Sequence, residues 1–412
     1  MSDLRDLLRA RFGGLPTAFW ALAFGMLLNR SGAFLQPLLT YYLTGPLGMS
    51  LGEAARVVSV WGVGAVLGAL IGGALTDRLG RKRTILMSSV GATCALLAFG
   101  QARTGLAVGA LAFLLAALQD LQRPAVFAMV ADVVPPLDRA RAYALLYVAV
   151  NLAFSMAPVV GGQLARIGYD VLIHVSAGIL VAYTLFVAVA LRETKPEARD
   201  DDAPSAGFRT ALADGVYVRF LGLVTVSALL AFQGMVPLAA WMKSQGHDAA
   251  AYGGVLALNG ALIVLIQPWI ADRVGRLDPA RAYATAILLQ GVGFAMHGLG
   301  STLAWHATAL CVWTAGEILA TPINSAVVAE LAPAHARGRY QGMMVMSWAV
   351  AGGTAPIVGA LVMSNLRGEV LWAGCLAVGL LGAGGMLALG PSLRTRIREA
   401  RSAGAAPALS FG

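Results

Sequence analysis

The sequence predicts an all-α integral membrane protein with twelve transmembrane helices in two six-helix, pseudo-symmetric bundles. Three observations predict it. The 412-residue chain is 58% hydrophobic and only 12% charged, with a mean hydropathy of +0.72, whereas about a quarter of a soluble domain is charged. Apolar runs of roughly 20 residues, the length that crosses a bilayer core, recur along the whole sequence. Finally, the second half of the chain repeats landmarks of the first.

The runs lie at 16–42, 53–76, 84–101, 106–134, 142–165, 171–191, 217–243, 248–272, 282–299, 303–331, 340–364 and 369–390. They are too long, and alternate too little, for barrel strands. Residues 1–15 read as a cytoplasmic N-terminus, where Leu4, Leu7, Leu8 and Phe12 would suit a short interfacial helix. The run that follows is expected to stay in the membrane, being too long for a cleaved signal and carrying Arg30 at mid-depth. Residues 16–191 form the first bundle and 217–390 the second, with a cytoplasmic tail at 391–412. Between the bundles, 192–216 (RETKPEARDDDAPSAGFRTALADGV) is polar, proline-bearing and charged, which reads as a cytoplasmic linker.

The net charge of +9 is a statement about topology. Of thirty Lys and Arg residues, 23 fall in segments on the side of the N-terminus and five (Arg56, Arg103, Arg166, Lys243, Arg367) on the other. Two more, Arg30 and Arg123, lie inside apolar runs. Because positive charge is retained on the cytoplasmic side, both termini are expected there, in the plasma or inner membrane. No nucleic-acid partner is implied. Cys94, Cys311 and Cys375 are odd in number, lie in apolar runs and form no C-x-x-C, so neither a disulfide framework nor a zinc site is expected.

The repeat is explicit. MVADVVPPLDRARAYAL (129–145) aligns with VVAELAPAHARGRYQGM (327–343), pairing Asp132 with Glu330, Pro135 with Pro333, Arg139 with Arg337 and Arg141 with Arg339. The same offset pairs Pro124 with Pro322, Pro158 with Pro356 and Gly161 with Gly359. The sequences GGALTDRLGRKR (72–83) and QPWIADRVGRL (267–277) pair Asp77 with Asp272. Parallel six-helix repeats about an axis along the membrane normal are a known transporter plan. On these residues the chain resembles the major facilitator superfamily over essentially its whole length. GGALTDRLGRKR is similar to that family's loop motif between the second and third helices. FSMAPVVGGQL (154–164) resembles the fifth-helix motif of the drug/proton antiporter branch, with Ala157 where the family has glycine; GGTAPIVGALV (352–362) is its degenerate copy.

The resemblance implies a gating latch. Asp77 would dock against the start of the eleventh helix, near Arg339 to Gly342, and Arg81 would reach Asp132. In the second copy Asp272 would meet the start of the fifth helix, near Arg141 to Ala144, with Arg276 facing Glu330. Ion pairs at a wet surface are worth about 0–1 kcal/mol each, which suits a contact that must open repeatedly. Lys82 and Arg83 read as topology-setting charges. Pro158, Gly161 and Gly162 would bend a gating helix, since proline removes a backbone donor and glycine admits close approach.

Ionisable groups within the membrane face cavities and mark pathways. Arg30, Asp120, Arg123 and Glu317 lie mid-span, on helices that line the cavity in the resembling family. Asp120 and Arg123 are three apart and so share a helix face; Asp120 could also pair with Arg30. No Lys or Arg lies near Glu317 on its own helix, and desolvation favours the protonated form of such an acid, so Glu317 is the expected proton carrier. Weaker candidates for a substrate wall are Phe34, Gln36, Gln119, Phe127, Gln233, Trp313 and Asn324, most of which are as well explained by packing between helices. His297 and His306, near the outer face, read as interfacial rather than as proton carriers. No phosphate-binding loop, nucleophile–base set or metal cluster is evident, so no cofactor or metal and no enzymatic activity are expected. The expected function is proton-coupled efflux of small amphipathic or drug-like molecules by a monomer, with an uptake symporter or lipid flippase of the same fold as the alternative.

The topology has a direct test. In a cysteine-free background, a cysteine at Ala203 should react only with thiol reagents supplied on the cytoplasmic side. One at Gly246 should react only from outside, and the opposite pattern would overturn the orientation.

Overall fold

Every one of the twelve apolar runs is overlaid by helix. The computed structural model describes residues 14–135, 138–195, 209–274, 277–332 and 337–405. Its helices are α1 (Thr17–Ser31), α2 (Leu35–Thr44), α3 (Leu51–Leu79), α4 (Arg81–Gln101), α5 (Gly105–Leu121), α6 (Arg123–Val133), α7 (Arg139–Ile167) and α8 (Tyr169–Ala190). They continue with α9 (Arg209–Ala213), α10 (Gly215–Ala231), α11 (Val236–Ser244), α12 (Ala249–Val274), α13 (Pro279–Met296), α14 (Leu303–Leu331), α15 (Arg337–Asn365) and α16 (Gly368–Ala405). Among the described residues there is no strand, and ten helical spans are long and apolar enough to cross a membrane.

Three runs expected as single helices are broken. The first splits at Gly32–Phe34, the fourth at Gln122, and the seventh through a 3₁₀ turn at Phe232–Gly234. Each second segment carries a proline in its first turn: Pro37, Pro124 and Pro237. Proline has no N–H and its ring collides with the carbonyl four residues back. Short-range bonds take over, from Ala33 N–H to the Arg30 carbonyl (3.1 Å) and from Met235 N–H to the Phe232 carbonyl (3.2 Å). Pro158, Pro322 and Pro356 instead sit inside unbroken helices.

The chain forms two compact units: residues 1–200 with 249–261, and residues 201–248 with 262–412. In the first unit, Gly64, Gly68 and Gly72 of α3 lie against α5. A Cβ on any of them would collide with a backbone carbonyl, that of Phe113, Ala117 or Leu121 respectively. A second seam joins α7 to the start of α12, where a Cβ on Gly162 would lie 2.6 Å from Ala250 Cα and one on Gly253 would collide with the Pro158 carbonyl. The expected bend residues therefore sit in a close helix contact, and Gly161 faces Phe34 of the first break. Phe19, Leu22, Ile85, Met129, Val130, Tyr183 and Val187 fill the core between α1, α4, α6 and α8.

In the second unit, α13 packs on α14 and α16 through glycines. A Cβ on Gly316 would lie 2.5 Å from the Ala286 carbonyl oxygen, and one on Gly291 would lie 2.8 Å from Gly379 Cα. The tail expected from 391 is helical as far as Ala405, running straight through Pro391. Two ion pairs hold it, Arg394 to Asp278 at 3.0 Å and Arg396 to Asp214 at 3.1 Å, and Leu393, just before them in the chain, is fully buried.

Gly68→Val should cost about 3 kcal/mol or more, because the added methyls meet backbone that has nowhere to move. Gly73→Val, one residue past the seam and with open space at its Cβ, should be tolerated. Thermal unfolding of the two variants in detergent checks this; equal losses would show that the seam is not where stability resides.

Candidate functional site

Two of the four intramembrane charges come together at the helix breaks. Arg30 lies in the last turn of α1, where free carbonyls favour a cation. Asp120 lies in the last turn of α5, where the same carbonyls disfavour an anion, so it needs a cation. Arg30 Nη2 supplies one at 3.4 Å from Asp120 Oδ1, both side chains being largely buried. Arg30 Nε is buried without a hydrogen-bond partner, so this guanidinium retains an unused donor.

Arg123 makes no such pair with Asp120 among the described residues. The break at Gln122 separates the two, and Arg123 begins α6 with its side chain exposed. Gln122 itself is buried. Its carbonyl oxygen accepts the Tyr183 hydroxyl at 2.6 Å, and its amide donates to the Gln119 carbonyl at 3.2 Å. These bonds fix the break from which Asp120 projects.

Glu317 belongs to the second unit, half-buried on α14, and Thr321 donates to its backbone carbonyl. Trp313, one turn earlier, is buried and stacked on Phe294 with ring centroids 5.1 Å apart. Trp313 Nε1, Gln233 Oε1 and Asn324 Oδ1 are buried without hydrogen-bond partners. Of the other candidates, Phe34 is buried, Gln36 and Gln119 are half-buried, and Phe127 is exposed and stacked on Tyr143.

The loop motif forms a dense knot at the start of α4. Gly80, at φ +100°, turns the chain out of α3. Arg81 Nε donates to Asp132 Oδ2 at 2.9 Å, the pairing that the resemblance implies. The sequence gives no warning of what joins them. Glu193, Thr194 and Lys195, read as the beginning of the linker, dock here. The Glu193 carboxylate accepts the backbone N–H of Arg81 (2.8 Å) and Lys82 (3.2 Å), capping α4 from outside the helix. Thr194 donates to Asp132 Oδ2 at 2.9 Å, and Lys195 Nζ to the Arg78 carbonyl at 2.8 Å. Lys82, expected to be a topology charge, also donates to the Ala188 carbonyl at 2.7 Å. Burial acts to raise the Glu193 pKa, but amide donors from Arg81, Lys195, Thr194 and Arg83 outweigh it and hold the carboxyl below its ordinary value.

Asp77 is exposed. In the second copy Arg276 lies outside the described residues, as does the side chain of Asp272, while Glu330 is half-buried on α14. No group of three or more potential metal ligands occurs among the described residues.

The family model described as Major Facilitator Superfamily matches residues 19–356. The chain belongs to the major facilitator superfamily. Among relatives, the class B tetracycline resistance protein of Escherichia coli is 24% identical over 307 residues, 71% of this facilitator and 74% of that protein. A Na(+), Li(+), K(+)/H(+) antiporter of Planococcus maritimus is 24% identical, covering 80% of this chain and 85% of its own. In fold, this facilitator is similar to a crystal structure of a POT family transporter in complex with 5-aminolevulinic acid. The TM-score is 0.79 at 14% identity, with 93% of this chain and 97% of that one covered.

The knot sets a pH dependence. A carboxyl with a lowered folded pKa adds stability above its ordinary value, about 4.3 for glutamate, and that stability is lost as pH falls through the folded value. Glu193→Gln should therefore destabilise the protein at pH 7 and differ little from wild type near pH 3. Melting temperatures of the two across that range check it, and a gap that stays constant with pH would refute the capping role.

Proposed function

We propose that this facilitator is a proton-coupled exporter of small amphipathic or drug-like molecules, working by alternating access as a monomer in the cell membrane. The observation that carries the reading is the placing of charge inside the membrane. Arg30 and Asp120 meet where two helices are broken, and an intramembrane ion pair at a break is characteristic of a transport pathway. The names of two relatives, a tetracycline resistance protein and a cation/proton antiporter, support export against protons. The fifth-helix motif at 154–164 supports the same direction by resemblance.

Roles divide by environment. Asp120 has the Arg30 guanidinium 3.4 Å away, so the pair suits orientation of a polar substrate group. Glu317 is the proposed proton carrier: it is an acid within a membrane-spanning helix, half-buried on α14, and ionisable groups at such depth mark pathways. Buried and partnerless atoms on Trp313, Gln233 and Asn324 are proposed substrate or water contacts, with Phe34, Gln36, Gln119 and Phe127 as secondary ones. Arg123, exposed on α6, is proposed as a cavity cation separate from the pair. Asp77 and Asp272, with Arg81–Asp132 and Arg276–Glu330, are the proposed latch. Uptake symport is the second reading, and the direction of proton-coupled flux separates the two.

Reconstituted vesicles with an imposed pH gradient and a panel of cationic dyes and antibiotics test the proposal. Glu317→Gln should abolish uphill transport by at least about tenfold yet retain substrate exchange. Asp120→Asn should weaken both. If Glu317→Gln keeps full uphill transport while Asp120→Asn loses it, the roles are reversed; if both keep it, coupling through these carboxylates is wrong.

A further inference from the structure

Three of the five histidines of the chain lie together in the second unit, at the end that the charge distribution assigns to the outside. His297 closes α13, His306 lies in the first turn of α14, and His247 lies in the loop between α11 and α12. His297 and His306, expected to be interfacial, are both completely buried. Their Nδ1 atoms are 2.9 Å apart, and His306 Nε2 is 2.7 Å from Gln245 Oε1.

With Gln245 Oε1 facing His306, the contacts assign one tautomer to each ring. Gln245 Oε1 can only accept, so His306 carries its hydrogen on Nε2 and presents a bare Nδ1. His297 must then donate from Nδ1, the less common tautomer, which leaves its Nε2 bare. That Nε2 is buried without a partner. In this assignment both rings are neutral, and one hydrogen lies between them.

Around the pair the walls are aromatic. Trp372 of α16 and Phe294 of α13 lie against His297 with ring centroids 5.6 Å and 6.1 Å away. Trp241 of α11 donates to the His297 carbonyl at 2.8 Å, and Trp305 of α14 to the Met296 carbonyl at 2.5 Å. His247 is a titratable neighbour, 5.6 Å ring to ring from His306, and its Nε2 donates to the Ser301 carbonyl at 2.7 Å; Lys243 and Asp248 flank that loop in sequence.

We propose that the His297–His306 pair is a proton-binding site, separate from the central carboxylates, that pins the 245–248 loop to α13 and α14 while neutral and releases it on protonation. An added proton has two places to go. On His297 Nε2 it is a buried cation with no acceptor, and on His306 Nδ1 it replaces the only hydrogen bond between the rings with two opposed donors. Either is relieved by opening the corner to water. The closed pair thus binds fewer protons than the open one. Closure is favoured above the ordinary imidazole pKa, about 6.5, and weakens by about tenfold per pH unit below it for each extra proton. The site stands whether or not Glu317 carries the coupled proton.

Trp241, Trp305 and Trp372 make the site self-reporting. Tryptophan emission of the purified protein, titrated from pH 8 to pH 4.5, should show a reversible transition whose midpoint lies below about 6.5. His306→Gln and His297→Asn should each abolish it, and a titration unchanged in both would overturn the proposal. Nitrogen-15 shifts of the histidine rings in wild type provide the measurement that needs no variant. At pH 7 they should show one buried Nδ1–H ring donating to a neutral partner. Two Nε2–H rings titrating freely near 6.5 would overturn it as well.

Discussion

A proline inside a membrane helix removes an amide donor and displaces a carbonyl where no water is at hand to compensate. At Pro37, Pro124 and Pro237 the chain answers by ending one helix and starting another, and much of the first unit follows from that answer. Each break creates a helix C-terminus within the apolar layer, with carbonyls that must be satisfied. Arg30 meets such an end on its own helix, and its guanidinium is then in place for the carboxylate of Asp120 at the next. The Gln122 side chain fills the gap between α5 and α6, and Tyr183 on α8 secures it. Charge, break and hydrogen bond are one arrangement, which is why the ion pair lies where it does and not between the sequence neighbours Asp120 and Arg123.

The architecture was legible because a bilayer enforces it. Spans of fixed length, an excess of arginine on one side and a repeated D-R-x-G-R loop leave little freedom, and α14 coincides with its expected bounds. Arg81–Asp132 was legible only through resemblance, as was the importance of the 154–164 motif. The breaks escaped notice because Pro37, Pro124 and Pro237 read like Pro158, Pro322 and Pro356, yet only the first three interrupt their helices. Sequence alone does not say whether neighbouring groups can absorb an unpaired carbonyl. Glu193–Lys195 escaped for another reason: in a polar, charged stretch nothing marks the three residues that find partners from the rest.

The knot at the start of α4 and the extension of α16 are alike in principle. A basic or acidic residue beyond the last apolar turn returns to a helix end and satisfies it. Glu193 supplies an anion to the amides that open α4, while Asp278 caps α13 through the Arg281 amide and also holds Arg394. Asp214 does the same for α10 through the Tyr217 amide, and additionally receives Tyr340 and Arg396. The segments that lead out of each unit are thereby structural parts of it: the linker expected from 192 begins with docked residues, and the tail expected from 391 begins as helix.

The seam of Gly64, Gly68 and Gly72 against the carbonyls of Phe113, Ala117 and Leu121 has a kinematic consequence. All three contacts share one register, so each glycine sits in the same notch one turn above the last. Sliding α3 along α5 by one turn in either direction would bring Val60 or Thr76 into an end notch and drive side-chain carbon into backbone there. The pair therefore resists shear and travels as a single beam. Rearrangement within this unit has to be taken up as rotation elsewhere, and the interrupted helices at 32–34 and 122, whose ladders are already open, are the joints available for it.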